Sequence, residues 1–172
     1  MHNENLYKKN CIRTRSGKYF NFLEPREEDI EIEDIAHALS MLPRFGGHLA
    51  QYYSVAQHSV ECYYLADPED QLQALMHDAS EAYLLDIPSP VKQHLRDYKY
   101  AEQKIMKLIA KKYKFQWPLR DNVKKIDTFM LEREWNHLMI QDHEHPGIQP
   151  WDQKLAKAKF LEAWHRCNNK IN

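Results

Sequence analysis

From about position 30 onward the chain alternates amphipathic runs with proline or glycine interruptions, a pattern of short helices. Ile35, Ala38, Leu39 and Leu42 recur at helical spacing and predict a helix over 32–42, ended by Pro43. Ser54 is suited to cap a helix over 54–65, with Val55, His58, Ser59, Cys62 and Ala66 along one face. Pro68-Glu69-Asp70 opens the next helix, whose stripe is Leu72, Leu75, Met76 and Ala79. Asp86-Ile87-Pro88-Ser89-Pro90 interrupts helicity; a short helical turn over 91–95 and a longer helix over 98–113, through Ala101, Ile105, Leu108 and Ile109, follow. Pro118 opens a helix to about 140 with Val123, Ile126, Met130 and Leu131 as its stripe. A loop over 143–150 leads to a last helix over 151–167 that buries Leu155, Phe160, Ala163 and Trp164. The one strand signal is near the start, where Ser16-Gly17 separates Ile12-Arg13-Thr14 from Tyr19-Phe20-Asn21-Phe22 and predicts a hairpin within 11–23. The expectation is an all-α bundle with a small N-terminal β-hairpin. It forms one domain over 1–172, with a core over about 32–140 and a C-terminal helix over about 151–167.

Several polar residues fall where this pattern expects apolar ones. His58 is turned inward on its helix, and Leu75-Met76-His77-Asp78-Ala79-Ser80-Glu81 places three groups able to bind metal or move protons within an apolar run. On one continuous helix His77 and Glu81 share a face, and Asp78 lies close to Glu81. Asp127 sits inside the stripe of its own helix, and an unpaired buried carboxylate costs several kcal/mol. It is therefore salt-bridged, on a wetter face than its neighbours suggest, or bound to a metal. The plain alternative for His77-Asp78 is a solvated helix face. A bundle can bring His58, His77, Asp78 and Asp127 together, and two imidazoles with two carboxylates suit a divalent ion: Mn, Fe, Co, Ni, Zn or Mg. His143, His145, His37 and His48 are not needed for that set.

Composition narrows the partners. Among 172 residues, 24 Lys and Arg against 25 Asp and Glu leave a net charge of −1, so no basic field exists to hold a long nucleic acid. Cys11, Cys62 and Cys167 lack CxxC spacing, which indicates neither a disulfide framework nor a thiolate zinc site. With no signal-peptide pattern and no long apolar run, the expectation is a cytoplasmic protein with no membrane partner.

His58, His77-Asp78 and Asp127, in that order, resemble the metal motif of the HD-domain phosphohydrolases. The likeness extends to Arg44-Phe45, to Ser54-Val55-Ala56-Gln57-His58-Ser59, and from His77 through Glu81 to Asp86-Ile87-Pro88-Ser89-Pro90-Val91-Lys92. Over about 32–138 the chain is similar to the bacterial 5′-deoxynucleotidases and the phage deoxynucleoside triphosphate hydrolases of that superfamily. The resemblance implies an HD-domain bundle in which a metal-activated water attacks a deoxynucleotide phosphate. It implies that Arg44 binds phosphate, that Phe45, where the deoxynucleotidases commonly have tryptophan, contacts sugar or base, and that Glu81 and Asp86 serve the water. Lys92 and Arg96, on one face if helical, are either a phosphate-tail contact or a solvated basic face. A homo-oligomer is also implied, with Tyr52, Tyr53, Tyr63 and Tyr64 as exposed aromatic surface. The remaining readings are hydrolysis of another phosphorylated metabolite or a cyclic nucleotide, and a non-catalytic nucleotide-binding regulator of the same fold.

Overall fold

The computed structural model describes residues 8–140 and 147–169, so His143 and His145 lie outside the described residues. The architecture is all-α with a small hairpin. Strands β1 (Cys11–Arg13) and β2 (Tyr19–Asn21) pair antiparallel with Ile12 opposite Phe20. Gly17, at φ 91°, makes the turn between them. Asp34 holds that turn to the bundle, accepting hydrogen bonds from Ser16 N at 2.7 Å and Ser16 Oγ at 2.6 Å. Phe20 then stacks on Tyr83 with ring centroids 3.9 Å apart.

The helices follow as α1 (Ile32–Met41), α2 (Val55–Leu65), α3 (Gln71–Met76), α4 (Glu81–Leu84), α5 (Ser89–Lys92), α6 (Arg96–Tyr113), α7 (Asp121–Glu134) and α8 (Gln153–Asn169). Helix α2 is the central element and packs against α1, α3, α7 and α8. It is buried almost all round, from Val55 through Tyr63. Its start is fixed as the sequence predicts, with Ser54 Oγ accepting from Gln57 N at 3.1 Å. The main core joins Ile35, Leu39, Val55, Val60, Leu75, Met76, Ile105, Ile109 and Phe160; a smaller cluster of Cys62, Ala66, Ala74, Val123 and Met130 fastens α7 to α2 and α3.

Several elements differ from the sequence expectation. The helix predicted to run through Glu81 breaks after Met76. His77 Nδ1 donates to the Ala74 carbonyl at 2.7 Å, taking an acceptor the helix would use for its own ladder. The next bonds are short-range, Ala79 N to Met76 O and Glu81 N to Asp78 O. His77 and Glu81 are consequently not on one face of one helix. Helix α7 begins at Asp121, not Pro118, and after Glu134 it widens into a π-helical turn over Trp135–Met139. Lys92 and Arg96 fall on separate helices, α5 and α6, so the shared face expected of them does not form. Leu131 and Leu155, predicted as core, are 39% and 43% exposed, because among the described residues no other element covers those sides of α7 and α8. Tyr53 and Tyr63, expected at the surface, are buried, and of that group Tyr64 is the half-exposed member.

Among the described residues no helix is long and apolar enough to cross a membrane. Phe160 is fully buried where α8 meets α1 and α2, so Phe160→Ala should cost about 3–5 kcal/mol of unfolding free energy in a denaturant titration. A loss below about 1 kcal/mol would mean that α8 is not integral to the core.

Candidate metal centre

Three elements bring the predicted donors to one point. His58 comes from the middle of α2, His77 and Asp78 from the turn after α3, and Asp127 from α7. His58 Nε2 lies 3.1 Å from His77 Nε2 and 3.1 Å from Asp127 Oδ1. Asp78 Oδ2 is 3.2 Å from His77 Nε2 and 3.8 Å from His58 Nε2, and Asp127 Oδ1 is 3.6 Å from His77 Nε2. Ligand bonds of about 2.0–2.2 Å put two donors on one ion roughly 3.0–3.5 Å apart, so this spacing fits a shared divalent cation.

The ring nitrogens sharpen the fit. The Ala74 carbonyl can only accept, so His77 carries its proton on Nδ1. His58 Nδ1 faces Glu134 Oε1 at 2.6 Å. Burial opposes ionisation of Glu134, but the His58 and Arg44 charges outweigh it and hold its pKa below the ordinary value, so His58 too donates from Nδ1. Both Nε2 lone pairs therefore point at each other and at two carboxylates, which requires a cation between them. Without a metal that cation is a proton. Burial, and at His58 the Arg44 charge as well, works against protonation, yet Glu134 and Asp127 at His58, and Asp78 and Asp127 at His77, raise both imidazole pKa values well above 6.5.

Two further residues stand in this cluster that sequence spacing did not single out. Cys62 Sγ is 3.7 Å from His58 Nε2, and the ligand atoms of His58, Cys62 and His77 all lie within 4.8 Å of one another. The absence of CxxC spacing gave no indication of a thiolate donor, yet Cys62, four residues after His58 on the same helix face, stands beside the imidazoles. Glu134 is wholly buried and is bound by Tyr53 Oη at 2.9 Å and by Arg44 Nε at 2.9 Å, besides His58. It lies seven residues after Asp127, two helical turns along the same face, which is the signal that could have found it.

Arg44 sits in a short helical turn over Arg44–Gly47, after the Pro43–Ser54 bridge that ties this loop to the start of α2. Phe45, Gly46 and Gly47 all have positive φ, a path that suits the glycines and constrains Phe45. With Nε and one terminal nitrogen on Glu134, Arg44 keeps its other terminal nitrogen 3.8 Å from Asp78 Oδ2, on the metal-site side. Comparison with known proteins places the chain among relatives. No family model matches it. It is 47% identical over 131 residues to the uncharacterized protein YfdR of Escherichia coli (strain K12), spanning 76% of this chain and 74% of that one. The chain belongs to the YfdR family. An uncharacterized protein of Rhodobacter capsulatus is 43% identical over 89 residues, 46% of this chain and 45% of its own.

In this YfdR-family chain two more of the predicted residues, Lys92 and Asp86, act on Glu81. Its Oε1 accepts from Lys92 Nζ at 3.3 Å, while Oε2 is buried with no hydrogen-bond partner among the described residues. Burial first, then the Asp78 and Asp86 charges, raise the Glu81 pKa well above 4.5. Burial likewise raises Asp86, with Arg44 pulling the other way. Lys92 also pairs with Glu102, so two carboxylates hold its ammonium, whereas Arg96 is exposed. His48 is exposed and His37 half-buried, and neither joins the donor cluster.

Asp127→Ala should leave purified protein depleted of divalent metal by elemental analysis; full occupancy would remove Asp127 from the donor set. Glu134→Ala frees the His58 ring and should weaken metal affinity by about 10- to 100-fold in a competition titration. Unchanged affinity would mean that Glu134 does not orient His58.

Proposed function

We propose that this protein is a metal-dependent phosphohydrolase of the HD-domain type acting on deoxynucleotides. The observation that supports it most is the convergence of His58 Nε2, His77 Nε2, Asp78 and Asp127 on one point, with Arg44 beside it. A divalent ion held there lowers the pKa of a water towards about 7 and polarises a phosphoryl oxygen. Every other role belongs to the chain. The free terminal nitrogen of Arg44 faces the centre and offers a permanently charged donor to a phosphate oxygen. Glu134 keeps that guanidinium in place.

Glu81 is the proton carrier. Its partnerless Oε2 and raised pKa suit a carboxyl that takes a proton from the attacking water and gives one to the departing ester oxygen. Water adds to phosphorus, the bond to the ester oxygen breaks, and that oxygen leaves as a hydroxyl. Asp86, facing the same charges, keeps the water side of the site polar. Because Lys92 is already engaged by Glu81 and Glu102, Arg44, 3.8 Å from Asp78, is the predicted phosphate contact that stands beside the donors, which favours a 5′-monophosphate over a triphosphate. Self-association is part of the same reading and is read by light scattering.

Glu81→Gln should keep its metal and lose about 10²- to 10⁴-fold in kcat on a deoxynucleoside 5′-monophosphate. Near-normal turnover would reject the role. Arg96→Gln, which leaves Glu81 untouched, separates the two substrate forms. A selective loss in kcat/KM for the triphosphate would favour triphosphate hydrolysis, and equal effects would favour the monophosphate.

A further inference from the structure

Residues Asp127, Leu131 and Trp135 are spaced by four along α7 and its π-helical continuation, so they stand on one side of that helix. Asp127 points that side at the metal donors, reaching His58 Nε2 at 3.1 Å. Leu131 and Trp135 continue it outward and are left open, Trp135 at 47% exposure. Across from them is Phe45, whose ring centroid lies 6.1 Å from that of Trp135 at a tilt of 50°. The Arg44 guanidinium sits over the Phe45 ring, 5.6 Å from its centroid.

The backbone holds both aromatic residues in place. Phe45 is kept at φ 55° between Arg44 and two glycines. Trp135 follows directly on Glu134, the carboxylate that fixes Arg44 and His58, and it begins the π-helical turn, a widening that recurs at functional sites. An apolar wall therefore starts at the His58–Asp127 cluster and ends on two aromatic rings beside Arg44, which faces that cluster.

We propose that Trp135, with Leu131 and Phe45, is the seat for a planar aromatic group of the substrate, a nucleobase attached to the phosphate that Arg44 receives. This rests on the phosphohydrolase reading and deepens it, since it names the feature that separates a nucleotide from a plain sugar phosphate. Stacking reads planarity and tolerates different bases, because every base has a π-face. The seat selects nucleotides as a class.

The test compares a deoxynucleoside 5′-monophosphate with 2-deoxyribose 5-phosphate, which has the same sugar phosphate and no base. Trp135 is half-exposed, so Trp135→Ala should fold, and Trp135→Phe restores a ring. The ratio of kcat/KM for the nucleotide over the sugar phosphate should fall on the order of tenfold in Trp135→Ala, mainly through KM, and recover in Trp135→Phe. The same ratio is read as Kd by calorimetry with Glu81→Gln as the background. An unchanged ratio overturns the seat, as does an equal loss on both compounds or a change of assembly in light scattering, which would assign Trp135 to packing or to an interface. If neither compound is turned over by the unmodified protein but the Kd ratio still falls, the seat stands and the hydrolase reading is the one that fails.

Discussion

A fully buried carboxylate at Glu134 ties the candidate site together. A lone charge at that depth would be unfavourable by several kcal/mol. Here it accepts hydrogen bonds from Arg44, Tyr53 and His58 at 2.6–2.9 Å, so its oxygens are satisfied and its three donors are fixed. One residue of α7 thereby sets the tautomer of His58 on α2 and the direction of a guanidinium in the preceding loop. Removing it would strip the buried Arg44 of its closest counter-charge and free the His58 ring to rotate.

The fold exists around this group in a definite sense. Helix α2 is almost wholly buried, which lets His58 be reached from both α7 and the turn after α3. The break after Met76 has a separate, local origin. His77 gives its Nδ1 proton to Ala74, the helix stops, and the freed turn carries Asp78 back alongside the His77 ring. Local irregularity is thus spent where donors must converge, while the regular helices α1, α6 and α8 supply packing.

Hydrophobic periodicity with turn and capping residues was enough to read the hairpin, the Ser54 cap and most helices, and to mark His58 and Asp127 as polar residues within apolar stripes. It failed where the answer depends on contacts between elements. A period reports that α7 and α8 are amphipathic but not which side another helix covers, so Leu131 and Leu155 read as core and are exposed. The break at His77 was invisible because it depends on a side-chain bond to Ala74. Glu134 and Cys62 lay at helical spacings from residues already singled out, seven and four positions away, yet ordinary charged and cysteine positions carry no mark until α7 is seen against α2. Lys92 read as either a phosphate-tail contact or part of a solvated basic face, and it turns to Glu81 and Glu102.

The central claim is that two imidazole lone pairs and two carboxylates form one divalent-cation site. Long-range ¹⁵N–¹H correlation spectra of the histidine rings, recorded while metal-stripped protein is titrated with Zn(II), test it most directly. The account predicts that the Nε2 resonances of His58 and His77 move together to metal-bound values and saturate at one equivalent, with both Nδ1 atoms remaining protonated. Shifts at Nδ1, at other histidines only, or no saturable change at His58 and His77 would contradict it.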